Sequence, residues 1–123
     1  MTTPTLRALR GATTCGVDTP QAITEATVEL LGEMMDRNGV DHDDVVSVLF
    51  TTTPDLVATF PATAAREIGF GDVPLLCASE IAVPGAMARC VRVLMHLYTT
   101  RTRTELHHVY LRQAVSLRDD LPS

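Results

Sequence analysis

The stretch ARCVRVLMHLY, residues 88–98, constrains the fold of this chain more than any other segment. Side chains along a strand alternate between two faces. Val91, Val93, Met95 and Leu97 therefore share one face, and it is wholly apolar. Cys90, Arg92, Leu94, His96 and Tyr98 share the other, which is mixed. The first face needs a layer of structure packed on it. The second is neither a core surface nor an ordinary solvent surface. Arg92 is its anomaly, because arginine is almost never fully buried unless its charge is paired.

The rest of the chain predicts what lies around that strand. Residues 5–14, TLRALRGATT, read as a first strand. Thr19 and Pro20 then form a helix start, with proline at the first helical position. Ile23, Ala26, Leu30, Leu31, Met34 and Met35 follow at helical spacing, and Asn38-Gly39 ends the helix. DHDD, residues 41–44, reads as an acid-capped helical turn and lacks the glycine and distal glutamate of a calcium loop. VVSVLFTTT (45–53) is apolar on both sides, as a central strand is. FPATAAREIG supplies a short second helix, VPLLCASEI (73–81) a third strand, and HHVYLRQAVSL (107–117) a last strand. The predicted order is β-α-β-α-β-β-β, with parallel pairs across the long connections and both helices on one face. The mixed faces of the late strands point to contact with another subunit.

The 123 residues make one domain, 1–123, with the tail RDDLPS, about 119–123 of it at its end, expected to be flexible. Net charge is −5 with no basic stripe, so nucleic acid is not expected as a partner. No run approaches membrane-spanning length, and the N-terminus has no apolar signal core. Three cysteines, Cys15, Cys77 and Cys90, are odd in number and form no CxxC, which suits a cytoplasmic protein. All ten cations are arginines, so any anion site must use the bidentate guanidinium fork.

The common catalytic motifs are missing: no GxSxG, HExxH, phosphate loop or zinc-spaced cysteines. His107 and His108, being adjacent on a strand, make a poor metal pair, and His42 and His96 have no evident ligand partner. Cys77 has no placed base and reads as a small buried residue rather than a nucleophile. What remains is arginine beside one carboxylate: Arg10, Arg66, Arg92 and Arg118 with Glu80. A structural salt bridge between Arg92 and Glu80 and a functional role are equally open at this point.

RGATT (10–14), DTP (18–20), TPDL (53–56), FPATAARE (60–67), VPLLC with Glu80, CVRVLM (90–95), HVYL (108–111) and the LR.DL of 117–121 occur in one order and spacing. As an ordered set, from about Arg7 to Leu121, they closely resemble the monofunctional chorismate mutases of the trimeric α/β-barrel (AroH) class. The resemblance implies an α/β (α+β) pseudo-barrel subunit and a homotrimer with active sites between subunits. It also implies a pericyclic conversion of chorismate to prephenate in phenylalanine and tyrosine biosynthesis, with no cofactor and no metal. Carried onto this chain, Arg10 would bind a substrate carboxylate, Glu80 would hold the ring hydroxyl, and Arg92 would donate to the ether oxygen and a carboxylate. Tyr110 would bond a carboxylate, and Leu76 and Cys77 would line the pocket. Phe60, Ala62 and Arg66 would approach from a neighbouring chain, and Leu117 and Arg118 would close the pocket. Thr63, Leu76 and Asp119 depart from residues found in other members, at the pocket rim and the tail. Two other readings share these residues: a non-catalytic trimeric binder of an aromatic-pathway acid, and an imine deaminase of the same fold, whose C-terminal arginine–glutamate signature is not seen here.

Overall fold

The computed structural model describes residues 3–120, with side chains as far as Leu117. β1 (Thr5–Thr14) leads into α1 (Pro20–Asn38), β2 (Val45–Thr52), α2 (Pro61–Glu67), β3 (Leu75–Ser79), β4 (Cys90–Thr99) and β5 (Val109–Tyr110). Short 3-10 segments follow α1 (His42–Asp44), precede β5 (Arg103–Glu105) and follow it (Arg112–Asp120). The sheet order is β3-β2-β4-β1-β5. β4 runs antiparallel to both of its neighbours, while β2–β3 and β1–β5 are parallel. β1 and β2 thus point the same way with β4 inserted between them. A mixed sheet with two main helices results.

Local chemistry explains α1. Thr19 accepts the N–H of Ala22 on its side-chain oxygen, Pro20 starts the helix, and Gly39 ends it in the left-handed region at φ 58°. Its buried stripe, Ile23, Ala26, Leu30, Leu31 and Met34, lies on the sheet. There it meets Leu9, Val48, Phe50, Val93, Met95, Leu97 and Val109. α2 adds Ala62 and Ala65 to the same core. Helix α1 sits so close to β1 that a Cβ on Gly11 would stand 2.5 Å from Met34 Sδ. At Asp41 the side chain accepts from the backbone of Asp43, so the acidic run is a cap.

The alternation of β4 holds: Val91, Val93, Met95 and Leu97 are buried under the helices. The last strand does not hold. The expected run 107–117 shortens to Val109–Tyr110, because two side chains intervene at its ends. Asn38, at the end of α1, takes both backbone groups of His107, donating to its carbonyl at 2.9 Å and accepting its N–H at 2.6 Å. Beyond Leu111, Arg112 adopts φ 53° and caps the end of β1 by donating to the Thr14 carbonyl at 3.1 Å. The chain then coils, so alternation no longer describes Val115 or Ser116. Among the described residues no helix is long and apolar enough to cross a membrane.

Candidate active site

The face of the sheet away from the helices carries the site. Pairing registers place Tyr110, Ala12, Arg92, Thr51 and Ala78 in one row across all five strands. In the next row, Arg10 lies opposite Leu94, Leu94 opposite Leu49, and Leu49 opposite Leu76. The small Ala12 leaves Arg92 room on one side, and Thr51 flanks it on the other. The outcome is a concavity of about 190 Å³ lined by Arg10, Ala12, Leu49, Thr51, Arg92, Leu94 and Tyr110.

Glu80 closes one side of this group. It follows β3, tied to β2 through its N–H to the Thr52 carbonyl at 2.8 Å. The Thr51 hydroxyl donates to Glu80 Oε2 at 2.7 Å. Arg92 Nε donates to both carboxylate oxygens, at 3.2 and 3.1 Å. Arg92 is not buried: its side chain is 43% exposed, against 18% for Glu80. The ion pair and an open charged face are therefore both present. Nε is spent on Glu80, while Nη1 and Nη2 make no hydrogen bond or ion pair among the described residues. Arg10 is exposed, and its guanidinium is likewise unpaired among them. Two cations and one carboxylate leave a local positive excess on a protein of net charge −5.

The remaining residues named from sequence fall elsewhere. Cys77 pairs with Phe50 on the helix-side face. It lines a second concavity of about 230 Å³ with Thr52, Val57, Phe60 and Ser79. Phe60 precedes α2 and is 68% exposed. Ala62 is buried in the core of its own chain, and Arg66 is exposed on the outer side of α2. Leu76 is exposed on the same face as Arg92, two strands away. Leu117 packs with Tyr110 and Met87 around Ala12, Cys90 and Ala114, a cluster that shares Ala12 and Tyr110 with the concavity. The side chain of Arg118 and the tail beyond residue 120 lie outside the described residues. So one chain brings Arg10, Glu80, Arg92, Tyr110 and Leu117 together and holds Phe60, Cys77 and Arg66 apart from them.

Three residues had no functional reading in the sequence. Thr51 orients Glu80, and Ala12 makes room beside Arg92; alternation along β1 and β2 was the signal for both. His108 Nδ1 accepts the backbone N–H of Arg10 at 2.9 Å. Burial, and then the charge of Arg10, lower the pKa of His108 from the ordinary 6.5. Burial pushes the Cys90 thiol up to about 11, and raises Cys15 as well.

Among the described residues that line the concavity there is no cysteine or histidine, and the carboxylate beside the Thr51 hydroxyl is already held by Arg92. Among the described residues, no cluster of three His, Cys, Asp or Glu side chains stands ready for a metal. What it offers is a fixed cation beside a fixed carboxylate on an apolar floor, the components of electrostatic stabilisation.

Comparison with known proteins agrees. The family model described as "Chorismate mutase type I" matches residues 6–121. The chain is 49% identical to a protein named chorismate mutase AroH from Thermus thermophilus, over 96% of this chain and 98% of that one. It is 42% identical to the chorismate mutase AroH of Bacillus subtilis, over 94% and 92% of the two chains. Among solved structures, a chorismate mutase from Clostridium thermocellum superposes with a TM-score of 0.88 at 44% identity, covering 89% of this chain and 98% of that one. With its full-length match, its sheet order and its arginine–glutamate face, this chain belongs to the type I chorismate mutase family.

Proposed function

We propose that the concavity holding Arg10, Arg92 and Tyr110 is where this chorismate mutase rearranges chorismate to prephenate, at sites completed by neighbouring copies in a homotrimer. The single observation that carries this reading is Arg92. It stands mid-strand, with Nε held by Glu80 and its terminal nitrogens free of other described residues above an apolar floor. In the rearrangement one C–O bond breaks as one C–C bond forms, with no proton transfer and no covalent enzyme intermediate. Negative charge grows on the ether oxygen. A guanidinium already fixed at that oxygen stabilises it without the reorientation that water would need. Arg10 and Tyr110 hold the carboxylates of the dianionic substrate, and Glu80 holds the ring hydroxyl. Together they keep the side chain folded over the ring, a near-attack geometry.

The subunit arrangement has its own support. Ligand pockets usually measure about 300–1,000 Å³, whereas this concavity is about 190 Å³ and lies on the sheet face that α1 and α2 leave open. Phe60, Leu76, Ile81 and Val83 are all exposed near the β3 edge. A neighbouring copy covers that apolar surface and brings Phe60, Cys77 and Arg66 toward the site, with Ala62 beneath them in its own core, while Leu76 lines the wall and Leu117 and Arg118 close it. We place this single catalytic domain in the cytoplasm, in agreement with its three free cysteines.

The test is to follow the loss of chorismate absorbance with purified protein and to identify the product. Prephenate formation is expected. Tight chorismate binding without turnover would favour a sensor instead, and imine hydrolysis without chorismate turnover would favour the deaminase.

A further inference from the structure

β1 and β5 pair at only two positions, Gly11 with Val109 and Ala12 with Tyr110. These are the rungs that carry Tyr110 to Arg92. Continuing that register by one residue sets Arg10 opposite His108. There the ladder stops, because Asn38 has taken both backbone groups of His107. The backbone N–H of Arg10 is instead received by the His108 ring, through Nδ1 at 2.9 Å. A side chain replaces a missing strand partner.

We propose that His108 is a positioning residue for the rearrangement: by accepting the Arg10 N–H it extends the β1–β5 ladder one rung and fixes Arg10 and Tyr110 relative to each other. The inference rests on Arg10 binding a substrate carboxylate. Chemically, Nδ1 can accept only when it carries no proton, so the ring must be neutral with its proton on Nε2. A protonated ring would set one donor against another and break the rung.

The charged groups beside that ring among the described residues are arginines. Arg7 and Arg10 come from β1, and Arg103 from the 3-10 turn before β5. Arg7, Arg103 and His108 line one concavity together with Leu6, Ala8 and Leu106. His107 is the neighbour in sequence, and no carboxylate lines that space. Burial and Arg10 accordingly lower the His108 pKa. The positioned state is kept at neutral pH and lost in acid, below the ordinary histidine range.

The test compares His108→Ala with His108→Asn, whose amide oxygen accepts a hydrogen bond as Nδ1 does but does not titrate. At neutral pH, His108→Ala should lower kcat/KM by about three- to tenfold, the worth of one neutral hydrogen bond. His108→Asn should restore most of that loss. The parent enzyme should lose kcat/KM on the acid side of pH 6.5, and His108→Asn should lack that limb. In an Arg10→Ala background, His108→Ala should add a smaller loss than in the parent, only the part carried by Tyr110. An acid limb that persists in His108→Asn, or a full additional loss in the Arg10→Ala background, would overturn the proposal. An Arg10→Ala enzyme with unchanged kcat/KM, measured with His108 intact, would overturn the role of Arg10 and with it this one. Thermal unfolding of each variant separates lost positioning from lost fold.

Discussion

Arg92 and Glu80 divide the work of one ion pair unequally. Glu80 uses both oxygens on Arg92 Nε and one of them also on the Thr51 hydroxyl, so it anchors the guanidinium at one edge. In the proposed reading, the charge left at the terminal nitrogens is what acts on substrate. Replacing Arg92 by methionine, unbranched, shorter and uncharged, should lower kcat by about 10²–10³, the usual loss for one preorganised donor. Thermal unfolding should show the variant still folded. Glu80→Gln keeps an acceptor for Thr51 and Arg92 and should lose less; both are read in the same chorismate assay. Cysteine chemistry tests burial at this scale too. With its thiol pushed up to about 11, Cys90 holds almost no thiolate near neutrality, and Cys15 is likewise raised and buried. Both should resist iodoacetamide in the native protein and react on denaturation, as peptide mass spectrometry would show.

At the scale of elements, α1 on β1 is the contact that sets the site's floor. Gly11 stands between Arg10 and Ala12, and its missing side chain is what lets Met34 and Leu30 approach. Gly11→Ala forces a methyl to within 2.5 Å of Met34 Sδ and 3.0 Å of Leu30 Cδ1. Overpacking of this kind costs about 1–3 kcal/mol. A denaturant melt should show the loss as a lower midpoint with an unchanged slope. The strands and helices themselves were legible in the sequence. The ten residues of β1, the caps of α1 and the apolar face of β4 all follow from local pattern. The last strand was not, because its end is decided by Asn38 and by Arg112 capping β1, contacts 69 and 98 residues apart in sequence.

For the whole molecule, the sheet face that α1 and α2 leave open and the apolar β3 edge are the surfaces of the proposed assembly. Phe60 at 68% exposure and Ile81 at 86% are costly to leave in water at that density of neighbours. Sedimentation equilibrium should give a trimer of three 13.3 kDa chains, about 40 kDa. Phe60→Asp places a charge in that surface and should shift the protein toward monomer. Chorismate turnover should fall with the trimer if, as proposed, each site draws residues from two copies.

Sequence by itself determined the element order, the two faces of β4, the helix caps and the family, since each rests on periodicity, cap chemistry or an ordered set of short motifs. It also singled out Arg10, Glu80, Arg92 and Tyr110. Only the tertiary structure decided how they meet. The registers β1–β4, β2–β4 and β1–β5 put Tyr110, Ala12, Arg92 and Thr51 in one row and bring Glu80 onto Arg92 Nε. Strand register depends on pairings between distant segments, and no local pattern encodes it. For the same reason His108, an unremarkable histidine in the sequence, proves to be the partner of the Arg10 backbone.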